Sequence, residues 1–84
     1  MSENRLGVVG IVIEDREMAT RVNQILSDSA SIIIGRMGIP HCREEVSVIS
    51  LIVDGTTDEI GAMTGKLGNI KGVQVKSALS AAGK

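Results

Sequence analysis

Two stretches of the chain carry the same succession of apolar patterns. A shift of 41 residues lays Ile11 and Val12 on Ile52 and Val53, and Ala19, Val22 and Leu26 on Ile60, Met63 and Leu67. In the first half, Leu6 to Ile13 is apolar except for Gly7 and Gly10, and its length and β-branched content predict a buried strand. Glu14-Asp15-Arg16-Glu17 breaks that run, with Asp15 placed to cap a helix. Met18, Val22, Ile25 and Leu26 then recur at helical spacing. Ser27-Asp28-Ser29 ends the helix, because short polar side chains compete for its backbone hydrogen bonds, and Ile32-Ile33-Ile34 resumes extended structure. Gly35, Gly38 and Pro40 predict that this second strand stops near Ile39 in a turn or an irregular hairpin.

The second half repeats the plan with a clearer helix. Val46 to Val53 predicts a third strand, Asp54-Gly55 closes it, and Thr56-Thr57-Asp58-Glu59 spells a capping box. Ile60, Met63, Leu67 and Ile70 follow at spacings of three, four and three. Gly61 and Gly65 each cost a helix about 1 kcal/mol relative to Ala, which points to a weak helix or to a backbone that must come close there. Gly68 or Gly72 can end the helix, and Val73-Gln74-Val75-Lys76 alternates as a half-exposed fourth strand.

The order is therefore β-α-β-β-α-β. Right-handed crossovers fold two split βαβ units into an α+β, ferredoxin-like arrangement: a four-stranded antiparallel sheet with both helices on one face. A chain of 84 residues encloses one core, so residues 1–84 form one domain, with 1–4 and 80–84 expected as flexible ends. The second sheet face is left uncovered. Gly7, Ser47 and Ser50 would lighten it, yet strands so rich in Ile and Val suggest burial on both sides. Homo-oligomerisation is the economical explanation.

Composition removes whole classes of function. A net charge of −1 offers no electrostatic footprint for a phosphate backbone, and the absence of Phe, Tyr and Trp removes the stacking platforms on which nucleic-acid readers rely. Cys42 is the lone cysteine, the first residues lack the apolar run of a signal peptide, and no apolar run approaches a membrane span; a cytoplasmic protein is expected.

Catalytic material is equally sparse. His41 and Cys42 are neighbours whose side chains diverge in an extended segment, so a metal or redox site would have to be assembled between subunits. The acidic clusters Glu14, Asp15, Glu17 and Glu44, Glu45 suit solvated turns and a helix N-terminus better than a catalytic dyad. Thr64-Gly65-Lys66-Leu67-Gly68 has the composition of a phosphate loop but lies inside a helix, and Met18 and Met63 sit on apolar helix stripes as core filler. What packing alone does not explain is the segment from Arg36, Gly38 and Pro40 to Arg43. Its arginines suit a carboxylate or phosphate through a bidentate fork, or ion pairs between subunits.

Glu14-Asp15-Arg16-Glu17, Gly38-Ile39-Pro40, Arg43-Glu44-Glu45 and above all the run from Asp58 to Gly68 resemble the iron-only hydrogenase system regulator family. These are small ferredoxin-like proteins allied to ACT domains and to the ligand-binding domain of the nickel-responsive regulator. The resemblance implies a regulatory, ligand-sensing or scaffold-like protein acting in the maturation or expression of an iron-only hydrogenase and associating as a dimer or tetramer; with no catalytic constellation among the residues, neither catalysis nor a cofactor is expected. Its partners would be itself and a small effector or a hydrogenase-system protein. Candidate ligand or interface residues are then Asp15, Arg16, Arg36, Gly38, Pro40 and Arg43, and the alternative is an intersubunit metal or redox sensor using His41 and Cys42. Only Met1 to Asn4 precede the first strand and His41 is the sole histidine, so neither the DNA-binding segment nor the multi-histidine nickel site of the nickel-responsive regulator carries over. Glu14-Asp15-Arg16 also lacks the glycine with which ACT domains bind amino acids at this turn.

Overall fold

The computed structural model describes residues 4–81 and has the expected element order. Strand β1 is Arg5–Ile13, helix α1 Ala19–Asp28, β2 Ile33–Arg43, β3 Val46–Gly55, α2 Thr57–Gly68 and β4 Val73–Leu79. The strands form one antiparallel sheet in the order β2-β3-β1-β4, which makes the chain α+β and ferredoxin-like. Directly opposed residues of an antiparallel pair share a face, so the register assigns every side chain to one side of the sheet. On the covered side, Val9, Ile11 and Ile13 of β1, Ile49, Leu51 and Val53 of β3, and Val73 of β4 are buried against the helices. The helices supply Val22, Ile25 and Leu26 from α1 and Ile60, Met63 and Leu67 from α2. Among the described residues no polar or charged side chain is buried.

The turns show why the helices begin where they do. Asp15 Oδ1 accepts from Glu17 N at 3.0 Å, capping a short 3-10 turn, Arg16–Met18, that leads into α1. The turn is tied to the second repeat: Glu14 N donates to Gly72 O at 2.7 Å, and Gln74 Nε2 donates to Glu14 Oε1 at 3.1 Å. Gly72 has a φ of +83°, and a Cβ there would lie 3.0 Å from Asp15 Cβ, so both conformation and close approach require glycine. At α2 the capping box is complete: Thr56 Oγ1 accepts from Glu59 N at 3.1 Å, and Glu59 Oε1 accepts from Thr56 N at 2.9 Å. A Cβ on Gly61 or Gly65 would meet nothing within 4 Å. The two glycines therefore weaken α2 without serving a close approach inside the chain.

Three expectations are corrected. The second strand does not stop at Ile39 but runs to Arg43, with the turn at Glu44 and Glu45. Pro40 is accommodated because β2 is an edge strand and because Pro40, His41 and Cys42 stand opposite Ser47 alone, a bulge that needs no amide hydrogen from proline. Gly7 and Ser47 lie on the covered side, opposite Val53 and Ile13, and Gly10, Gly35 and Ala78 join Ser50 as small residues of the open face. The fourth strand extends to Leu79, and Ser80, expected in a loose end, donates from N to Leu6 O at 2.8 Å and accepts from Leu6 N at 3.2 Å. Residues 1–3 and 82–84 of the expected flexible ends lie outside the described residues.

Candidate functional site

Two surfaces stand out, and the sheet register builds both. On the open face, three successive cross-strand rows run from β2 to β4: Gly35, Ile52, Val8, Ala78; Met37, Ser50, Gly10, Lys76; and Ile39, Val48, Val12, Gln74. The outer rows present branched aliphatic side chains at Ile52, Val8, Ile39, Val48 and Val12, and the central row dips at Ser50 and Gly10 between Met37 and Lys76. Leu6, Val8, Met37, Ile39, Val48 and Ile52 are all exposed here, Ile52 to 43% at the centre. Nine β1–β3 pairs at about 3.3 Å per residue, across four strands about 4.8 Å apart, make a face of roughly 570 Å² before side-chain relief.

The second surface is a groove of 240 Å³ on the covered side, where β2 projects past α1. Arg36 and Gly38 alternate along β2 opposite the buried Leu51 and Ile49, so both belong to the helix side. Arg36 Nη2 donates to Asn23 Oδ1 at 2.7 Å, which holds the guanidinium against α1. The floor is Ile13 and Ile49, with Ala19 and Pro40 as walls. Gly38 contributes no side chain over Ile49, where a Cβ would sit 3.6 Å from Ile49 Cγ1. Among the described residues Arg36 is the single charged one in this lining. A larger depression of 630 Å³ lies between the helices, but Glu17, Asp28, Arg21 and Lys66 balance its charge and Ile25 is its one large apolar residue.

Of the residues singled out from sequence, Arg36, Gly38 and Pro40 thus meet in one groove. Asp15 and Arg16 lie at the β1–α1 turn, where Asp15 acts as a cap. Arg43 lies at the hairpin end of β2, next to the two-residue turn. His41 and Cys42 lie in the bulge: His41 takes a φ of +57°, its Nδ1 is 3.3 Å from Glu44 O, and Cys42 Sγ donates to Ile39 O at 3.2 Å. No group of three His, Cys, Asp or Glu able to hold a metal ion occurs among the described residues. Asn23, Ile13 and Ile49 were missed as groove residues. The shared parity of Arg36 and Gly38 was the available signal, since residues two apart on a strand face the same side.

No curated protein matches the chain. Among solved structures, the uncharacterized protein TM1266 from Thermotoga maritima is similar at 41% identity and a TM-score of 0.86, covering 94% of this chain and 100% of that one. The C-terminal domain of MgtC from Mycobacterium tuberculosis shares the fold at 13% identity and a TM-score of 0.65, covering 90% and 87%. So does CPII, a nitrogen regulatory PII-like protein from Thiomonas intermedia K12 bound to ADP, AMP and bicarbonate, at 11% identity and a TM-score of 0.54, covering 92% and 96%. A family model described as "TM1266-like: Iron-only hydrogenase system regulator, putative" matches residues 5–77. With that match over most of its length and with a relative at 41% identity, the chain belongs to the TM1266-like family.

Proposed function

We propose that the protein is a non-catalytic, homo-oligomeric regulatory domain of an iron-only hydrogenase system, acting in the cytoplasm. Two copies stack their open sheet faces, and a small effector or a hydrogenase-system protein acts on that assembly. The observation that carries the reading is the cluster of exposed apolar side chains, Leu6, Val8, Met37, Ile39, Val48 and Ile52, on the uncovered face. Two faces of roughly 570 Å² bury about 1,100 Å² together, which clears the ≈1,000 Å² expected of a specific interface. The aliphatic rows also seat beside the Ser50 and Gly10 dip of an opposing copy, the relief that a face needs to pack against itself. A regulatory role follows the family description. No helix of the described residues is long and apolar enough to cross a membrane.

Sedimentation velocity over a concentration series tests the reading, with detection by peptide-bond absorbance because the chain has no Trp or Tyr. A dimer or tetramer persisting into the micromolar range is expected. A monomer at every concentration reached would overturn it.

A further inference from the structure

We propose that the Arg36 groove binds a small organic anion, a monocarboxylate with a short aliphatic body. The inference deepens the effector part of the regulatory reading and rests on it only there, since binding is measurable whatever the oligomeric state. The polar end of the groove is one guanidinium whose hydrogen bond to Asn23 engages a neutral amide oxygen. Among the described residues no carboxylate lines the groove, so the positive charge meets no counter-ion from them. A guanidinium carries five N–H donors, of which the bond to Asn23 takes one, and its planar fork matches the two oxygens of a carboxylate. Asn23 thereby orients the fork before any ligand arrives, which lowers the ordering cost of binding.

The other end is apolar. Ile13 and Ile49, 2% and 7% exposed, form the floor, and Gly38 adds no side chain over Ile49. A groove volume of 240 Å³ gives room for the body of a short-chain acid. Inorganic phosphate would satisfy Arg36 but would set polar oxygens against the isoleucines, at a desolvation cost that an aliphatic body avoids. Charge selects the head group, and the floor selects the tail.

The test is an NMR titration of the isotope-labelled full chain at fixed ionic strength with butyrate, butyramide and inorganic phosphate as probes. Butyrate is expected to give saturable shifts at Gly38, Ser47 and Ile49 and at the Arg36 Nε proton. Butyramide, equal in shape but uncharged, and phosphate, charged but without a tail, should each bind at least about tenfold more weakly. Arg36→Gln should weaken butyrate by at least the same factor, and Gly38→Val, which fills the groove and keeps the arginine, should abolish binding. Spectra of both variants without ligand show whether the fold is retained. The proposal is overturned if butyrate gives no saturable shift, if butyramide or phosphate matches it, or if both variants bind normally. Sedimentation of the same samples separates the two readings. A monomer that binds butyrate removes the stacked oligomer and keeps the site, whereas an oligomer that ignores butyrate removes the site alone.

Discussion

Replacing Ile52 by Thr separates the strength of the sheet from its capacity to associate. Ile52 sits on the open face between Val8 and Gly35 and is 43% exposed in the single chain. Fully burying an isoleucine side chain is worth about 1.5–3 kcal/mol, so covering the exposed part contributes about 0.6–1.3 kcal/mol per copy and about twice that in a symmetric pair. Threonine keeps the β-branch and hence the strand preference, but it presents a hydroxyl that the contact must desolvate. Self-association should therefore weaken by about one to two orders of magnitude. More than half of the side chain is already covered in the monomer, a share worth about 0.9–1.7 kcal/mol on the same scale, so thermal stability at high dilution should fall by about 1–2 kcal/mol. The assay pairs sedimentation over a concentration series with far-ultraviolet circular dichroism melts at the lowest workable concentration. A variant that unfolds slightly earlier yet associates as tightly as the parent would refute the assignment of this face to the interface.

Other perturbations probe the frame and the alternatives. Gly61→Ala and Gly65→Ala place a methyl group in open space within α2 and should each stabilise by about 1 kcal/mol, raising Tm by roughly 4–8 °C; unchanged melts would mean that the glycines do not limit the helix. Gly72→Ala forces a side chain onto a φ of +83° and against Asp15, and should cost about 1–3 kcal/mol, with Gly72→Asn losing less. If both variants melt like the parent, the tie between the two turns is not what holds the β1–α1 junction. Cys42→Ser should leave oligomeric state and metal content by elemental analysis unchanged, because Cys42 lies exposed in the β2 bulge and bonds only to a carbonyl of its own strand; a loss of bound metal or of assembly would favour the His41 and Cys42 sensor.

Much of the frame was legible because its signals are local. The capping box from Thr56 to Glu59, the apolar stripe from Ile60 to Ile70 and the 41-residue overlay each follow from side-chain spacing, and the fold follows from their order. The second strand was harder. Pro40 forbids a central position, but nothing local announces that β2 is an edge strand with a bulge, which is a property of the whole sheet. The face of Gly7 and Ser47 was misread for a related reason, since it depends on pairing register across strands distant in sequence. The groove was half legible: Arg36, Gly38 and Pro40 stood out by type, whereas Ile13 and Ile49 join them through strand pairing and Asn23 only when α1 crosses the sheet.

The most direct test of the central claim is methyl NMR with a soluble paramagnetic agent, recorded at high and low protein concentration. The account predicts that the methyl groups of Val8, Val12, Val48 and Ile52 become as protected at high concentration as those of Leu51. Ala62, exposed on the outer side of α2, should stay fully accessible throughout. Open-face methyl groups relaxing as fast as Ala62 at every concentration would contradict the account, because the apolar rows would then face water in the working protein.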